Sequence, residues 1–420
     1  MNEVLSRAGQ FVLDSVSIIQ PGGLAIEIFD QIQQITLYED IFSPIMSGHL
    51  VILDNRDIAG LLLNAGTDLL RLRLRTPTID TPNQIDRLFH IYRMSDREVA
   101  SERTQSYMLY FTAVENLMDT SNRISKTYRG KGEYVIGSIL SSIGSTVKFT
   151  PTASTNDLEY TSNYWSPFQN INYAADRSIA QDGTASYLFF ENRTGFVYAP
   201  LTQMALAKPS LSFLVTDQVA DTDKTTSRAV KNIEMDYRSI LKLTTRVNYD
   251  YDKSKRGGML NSRLFSYDFV KKTLTDKTFN MNSDSRQRMN KNVFFKPEVI
   301  DSSYKQNGTV HLIIPKTSGL YGGLSATPSV IQSRISILQQ YQQHKIEIDV
   351  FGRTDYTVGM TVNIDATKLK QISKDMDASS LSDPYYSGVY IISAICHRFS
   401  KDGDHKATIE LMRDSIGERN

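Results

Sequence analysis

Apolar and polar positions alternate with period two in blocks along residues 24–116, separated by turn residues, which is the pattern of strands that bury one face. Leu24-Ala-Ile-Glu-Ile-Phe29 opens the series, residues 35–38 continue it, and residues 48–54 follow a turn at Ser43-Pro44. Leu70-Arg-Leu-Arg-Leu-Arg75 then alternates without a fault until Pro77 and Pro82 break the run. Residues 89–94 and 106–113 read as a hairpin around a polar stretch, and residues 58–63 as a short helical insert. Five or six strands in this span predict a small antiparallel barrel or sandwich.

The period changes after Asn116. Ile136, Ile139, Leu140 and Ile143 recur at helical spacing, with Gly144 as a C-terminal stop. Ser166-Pro167 is a helix start, because the serine can cap an orphan amide and proline fits the first helical position; Ile171, Ala174, Ala175 and Ile179 form the stripe. A hairpin over 187–198 completes a mixed α+β unit. Further on, residues 240–247 and 262–269 predict strands, while 253–258 and 280–292 are polar enough to be exposed loops. Thr327-Pro328 opens a helix bearing Ile331, Ile335, Leu338 and Tyr341, and strands follow at 345–350, 389–394 and 406–411. Phe89, Ile91, Leu109 and Phe111 are echoed 300 positions later by Val389, Ile391, Ile409 and Leu411. A duplicated unit would explain the echo.

Composition narrows the class. The 420 residues, 40% hydrophobic, suffice for two to four domains at the usual size of about 100–200 residues. With 47 Lys and Arg against 46 Asp and Glu, no global field recruits nucleic acid or an anionic membrane, so any such contact has to be local. Residues 221–296 are the exception, with 17 Lys and Arg against 9 Asp and Glu. A single cysteine, Cys396, cannot form an internal disulfide. Nothing at the start reads as a signal peptide, and the uncharged stretch 41–53 falls short of the roughly 20 residues a bilayer span requires. Assembly in a reducing cytoplasm, with no membrane partner, is the expectation.

Catalytic chemistry finds no local support. The six histidines are scattered without a His-x-x-x-His pair. Cys396 and His397 are neighbours on a strand and so point to opposite faces, which prevents a thiolate–imidazole pair and leaves Cys396 as a structural residue. Gly130-Lys-Gly132 and Gly319-Leu-Tyr-Gly-Gly323 lack the spacing of phosphate-binding loops. No enzyme activity, cofactor or metal is therefore expected. Arg71, Arg73 and Arg75 share one sheet face and require solvent, carboxylate partners across the strands, or a neighbouring subunit. The lysine-rich segment is read as solubilising loops or as a docking region.

The order of these pieces is familiar. Glu39-Asp-Ile-Phe-Ser-Pro-Ile-Met-Ser-Gly-His-Leu-Val-Ile-Leu-Asp54, with the short helix and the 70–76 strand behind it, resembles the first barrel of baseplate hub proteins of contractile-tailed, T-even-like phages. Phe190-Glu-Asn-Arg-Thr-Gly-Phe196, Ser262-Arg-Leu-Phe-Ser-Tyr-Asp268, residues 346–363 and Tyr386-Ser-Gly-Val-Tyr-Ile-Ile-Ser-Ala-Ile-Cys-His397 resemble later segments of that family in the same order. The resemblance implies a β-rich α+β chain with two tail-tube-like antiparallel β-barrels. Its parts would be an N-terminal segment 1–23, a first barrel 24–116, a mixed domain 117–206, a second barrel from 207–248 and 345–420, and an insert 249–344.

It also implies a homotrimeric, pseudo-hexameric ring in the virion baseplate. The ring would join a sixfold tail tube or tube-initiator protein to a threefold central spike, touch other baseplate proteins, and pass DNA without binding it specifically. A glycan-binding or glycan-cleaving tail protein is one alternative; the spike of a type VI-like injection system is another, disfavoured because a β-helical needle would be expected beyond the closing strand. Subunit contacts are expected at Ile41, Phe42, Ser43, Pro44 and Met46 and at Arg71, Arg73 and Arg75, with partner docking at Lys253, Lys255 and Arg256. The channel wall should be neutral or acidic, since each phosphate neutralised by a cation adds to binding.

Overall fold

The structure is a computed structural model that describes residues 5–61, 66–77, 84–215, 233–248, 250–281, 286–293, 311–316, 327–366, 382–383 and 385–417. Its first part carries β1 (Val12–Ile19), β2 (Ala25–Glu27), β3 (Ile32–Asp40), β4 (Ser47–Asp54), the short helix α1 (Ile58–Leu61), β5 (Leu69–Arg75), β6 (Ile85–Ser101) and β7 (Thr104–Ala113). A mixed part follows: α2 (Val114–Ser121), β8 (Thr127–Lys131), α3 (Gly132–Ser142), β9 (Phe149–Pro151), β10 (Asp157–Thr161), α4 (Pro167–Arg177), β11 (Tyr187–Asn192), β12 (Gly195–Pro200) and α5 (Leu201–Leu206). The remainder holds β13 (Leu211–Val215), α6 (Ile233–Arg238), β14 (Ile240–Asn248), α7 (Tyr251–Arg256), β15 (Asn261–Asp268), β16 (Thr273–Asn280), β17 (Asn292–Val293) and β18 (His311–Lys316). It ends with α8 (Thr327–Gln342), β19 (His344–Phe351), β20 (Thr361–Ala366), β21 (Gly388–Ser400), β22 (His405–Arg413) and β23 (Ser415–Ile416).

The chain is α+β with large antiparallel sheets, but the two expected tail-tube-like barrels do not form. Among the described residues one 13-stranded sheet runs in the order β14-β19-β22-β21-β3-β4-β7-β6-β5-β1-β2, with β13 and β20 branching from β21. Its end strands, β14 and β2, do not pair with each other. The junction is β3 against β21, where Leu37 lies opposite His397 and Tyr38 opposite Cys396. Alternation fixes which face a strand buries and leaves open which strand lies beside it; closure depends on tilt and on a register set by long-range partners. Here an edge from each half is used to join the halves.

The apolar phase fills three main cores. Val16, Ile35, Leu50, Leu72, Phe89, Leu109 and their neighbours make the first, around β1 to β7. Ile346, Ile348, Ile391, Ile395, Ile409 and Leu411 anchor the second, together with Ile337 and Tyr341 of α8. In the mixed part, α3 and α4 pack Ile136, Ile139 and Ile171 on Phe189 and Phe196 of the β11–β12 hairpin. Helix α4 starts as its sequence dictates: Ser166 accepts from the Gln169 amide, the Gln169 side chain returns to the Ser166 amide, and Pro167 takes the first position. Gly48 lies where strand β4 passes beneath the Phe111 ring and the Thr36 carbonyl, a space that a Cβ would fill.

Candidate functional site

The other face of the large sheet, its bare face, turns the partly exposed side chains of Tyr38, His49, Tyr92 and Tyr110 away from the first core. Its outward residues in the first part are aromatic at the centre and cationic at the flank. Tyr38, His49, Tyr110 and Tyr92 follow one another across β3, β4, β7 and β6 with ring centroids 6.0, 5.7 and 6.3 Å apart, and the Arg93 guanidinium stands 5.1 Å from the Tyr110 centroid. Burial and the nearby Arg398 push the His49 imidazole below its ordinary pKa. On β5, Arg71 and Arg73 reach the Asp86 carboxylate of β6 at 3.4 and 2.9 Å, and Arg75 reaches Asp14 of β1 at 3.2 Å. Burial alone would raise Asp86, but hydrogen bonds and charge from Arg73 and Arg71 outweigh it and hold the carboxyl below its usual range. The same economy recurs on the second part, where Lys345 pairs with Glu410 at 2.9 Å and Arg246 grips Glu347 with two hydrogen bonds of 2.8 Å. Five cations of this face are thus met by carboxylates of the same chain, while Arg93 lies over the Tyr110 ring.

The turn after β3 divides its residues between core and surface. Ile41 is fully buried in the second core and Met46 in the first. Backbone bonds from Ile41 to the Ser393 carbonyl (2.9 Å) and from Met46 to the Glu191 carboxylate (2.8 Å) fasten the turn inside the molecule. Of this set Phe42, Ser43 and Pro44 reach the surface, and the Phe42 ring lies 5.9 Å from the Lys345 ammonium. Lys253, Lys255 and Arg256 sit on α7, a short helix where an exposed loop was expected, capped by Asp250 accepting from the Lys253 amide at 2.9 Å. Arg256 pairs with Asp252 at 3.0 Å, and Lys253 lines a cleft of about 660 Å³ beside Gln339, Gln343 and Lys345. Lys345 therefore touches both the Phe42 turn and the α7 cleft, which the sequence had kept as separate surfaces.

Several buried charges escaped the sequence reading. Glu39 accepts from Thr357 Oγ1 at 2.5 Å and from the Val358 amide at 3.1 Å, and burial pushes its carboxyl up. Glu191 of the mixed part pairs with Arg87 of β6. The signal was present, since Glu39 continues the inward phase of Ile35 and Leu37, and Glu191 that of Phe189. Cys396 is half-buried on the bare face, and burial raises its thiol, while its neighbour His397 is fully buried on the other side. Among the described residues no group of three or more His, Cys, Asp or Glu is placed to hold a metal ion, and no helix is long and apolar enough to cross a membrane.

These features define a β-rich α+β scaffold built around one wide antiparallel sheet, a fold it shares with a solved tail protein. The tail protein from Neisseria meningitidis MC58 matches with a TM-score of 0.56 at 10% identity, over 97% of this chain and 98% of that one. The 43 kDa tail protein of prophage MuSo2 from Shewanella oneidensis matches at 0.49 and 10% identity, over 96% and 99%. Prophage tail protein gp18 from Listeria monocytogenes matches at 0.48 and 8% identity, over 95% and 94%. No family model and no curated protein matches the sequence.

Proposed function

We propose that this chain is a structural component of a tail apparatus, and specifically the baseplate hub of a contractile phage tail. The observation that carries the reading is the end-to-end likeness to the Neisseria tail protein, which spans both chains almost completely. The sheet supports it physically. An open sheet whose end strands, among the described residues, have a partner on one side only is an aggregation template unless other chains occupy its edges, and a closed ring of copies occupies them without leaving new ones. Three copies joined from β14 to the β1–β2 edge would form a threefold ring with the bare face toward a central channel.

A channel for DNA must not grip phosphate, and pairing with carboxylates engages Arg71, Arg73, Arg75, Lys345 and Arg246 of that face. The ring would stand between a tail tube or tube-initiator protein and a central spike, beside other baseplate proteins, in a virion assembled in the host cytoplasm. Phe42, Ser43 and Pro44 are the part of the first turn available to a neighbour, and Lys253, Lys255 and Arg256 are the docking helix. The test is the isolated protein's mass and image: a particle near three times 47.5 kDa with threefold symmetry is expected. Twofold or fourfold particles, or an assembly with the bare face outward, would overturn it. Charge reversal at Lys253, Lys255 and Arg256 should abolish baseplate assembly while the purified protein stays folded.

A further inference from the structure

We propose that the tip of the β15–β16 hairpin is a docking element for an anionic lipid surface. The inference goes beyond the ring and does not depend on it. Four large apolar side chains stand in solvent there: Phe269 is 63% exposed, Leu274 65%, Val270 48% and Tyr267 39%. They are held out by a built turn. The buried Asp268 carboxylate accepts from the Val270 and Lys271 amides at 3.0 Å each, Lys272 takes a left-handed φ of 52°, and the Tyr267 and Phe269 rings meet edge to face at 5.1 Å. Asx turns of this kind fix a reversal by satisfying its amides locally, so the apolar residues face outward from a rigid support. The root of the hairpin is packed separately, through Leu264 and a small cluster of Met259, Leu260 and Met281 with Phe279 against it.

Charge at the tip favours an anionic partner. Lys271, Lys272 and Lys277 are exposed and form no ion pair among the described residues. The two acids of the hairpin are engaged: Asp268 closes the turn and Asp276 is gripped by Arg263 at 2.9 Å. A protein partner for such a convex end would need an apolar groove rimmed by acids and shaped to fit. A bilayer offers phosphate and the acyl boundary in one deformable surface, into which apolar side chains can sink while lysines stay at the headgroups and tyrosine takes the interface. The hairpin lies within the basic stretch 221–296, so the attraction at its tip adds to that of its neighbours although the whole chain is near neutral.

The full-length protein should be sedimented with phosphatidylcholine vesicles, with and without phosphatidylglycerol, at low and high salt. Binding is expected only where phosphatidylglycerol is present, weakening with salt. The paired substitutions Phe269→Ser with Leu274→Ser, and separately Lys271→Glu with Lys272→Glu, should each weaken it by about tenfold or more, with circular dichroism unchanged. The lysine pair guards against misfolding of the apolar one, since both side chains are fully outside. Vesicles that fail to bind, or binding that survives both paired substitutions, would overturn the proposal and return the tip to a protein-docking role.

Discussion

The hairpins β6–β7 and β21–β22 carry the same alternation, and all eight matching side chains, Phe89, Ile91, Leu109, Phe111, Val389, Ile391, Ile409 and Leu411, are buried. Their echo is one of spacing rather than register: Ile91 lies opposite Phe111, whereas Ile391 lies opposite Met412 and Leu411 faces Ile392. Their far ends differ more. The β6–β7 ladder slips three times and runs out into exposed residues 96–103. The β21–β22 end is held by the N-terminal segment, with the His405 amide donating to the Gly9 carbonyl at 2.7 Å and Arg7 pairing with Asp404 at 2.8 Å. Apolar period decides the buried half of a hairpin, while the fate of its end depends on which distant segment reaches it.

Truncating the matched core positions should have the largest effect. Leu109→Ala and Ile409→Ala are each expected to cost about 2–5 kcal/mol in chemical denaturation, the transfer loss plus an unfilled cavity. Because the β3–β21 ladder and buried Glu39 bind the two halves, each variant should shift one common transition. Two separable transitions, with only the mutated half destabilised, would show that the hairpins belong to independent folding units.

Acid should discriminate the hairpins next. His397 Nδ1 and His405 Nε2 lie 3.0 Å apart, both rings fully buried, with Phe399 stacked on His405 and Phe11 edge-on to it. Burial, chiefly, and the neighbouring Arg193 lower His397 to about 4; burial and the His397 charge lower His405 well below its ordinary value. An unfolded chain then binds more protons than the native one below the ordinary histidine value near 6.5. Stability is full above that value and falls toward pH 4, by about 1.4 kcal/mol per pH unit for each such group. Hydrogen exchange on acidification should rise first in β22 and residues 7–10, and His405→Phe should flatten the slope. Equal acid sensitivity in β7 would contradict it.

A smaller effect is expected at the clasp itself. Gly9 has φ of 76°, and an added Cβ would lie 2.9 Å from the His405 carbonyl oxygen. Gly9→Ala should cost about 1–2 kcal/mol, the usual penalty for a left-handed non-glycine residue, and loosen residues 5–10 in hydrogen exchange while leaving the β6–β7 end unchanged.

The legible part of the fold was the part written in local period. Helices α3 and α4, the β11–β12 hairpin and strands β19, β21 and β22 follow from apolar spacing and from the Ser166-Pro167 start. Strand β1 was missed because a register shift between Leu13 and Ser15 breaks its alternation, and β16 because polar residues fill both of its faces. Barrel closure was misjudged since nothing in residues 32–40 announces that β3 will meet β21 more than 350 positions away. For the site, the shared face of Arg71, Arg73 and Arg75 was readable, but their partners Asp86 and Asp14 lie on other strands. Ile41 and Met46 carried no mark to separate them from Phe42, as all three are apolar in a turn.

The smallest change in stability and the sharpest test of the bare face meet at two adjacent residues of β6. Arg87 points inward to Glu191, where removing one charge leaves the other buried; its neighbour Asp86 points outward to Arg71 and Arg73, half in solvent. Exposed pairs contribute little, because water screens the attraction and ordering two long side chains costs entropy, so Asp86→Asn should change stability by less than about 1 kcal/mol. Its consequence for the proposed channel is larger in kind. The variant frees two arginines on each copy, and a ring of them facing inward would hold phosphate with an affinity that falls steeply with salt. Duplex DNA retained by the assembled variant at low salt, released as salt is raised, and ignored by the unmodified assembly, is the expected outcome. Equal indifference of both to DNA would mean that this face does not line the channel, and the arginines would then be read as a solvated surface.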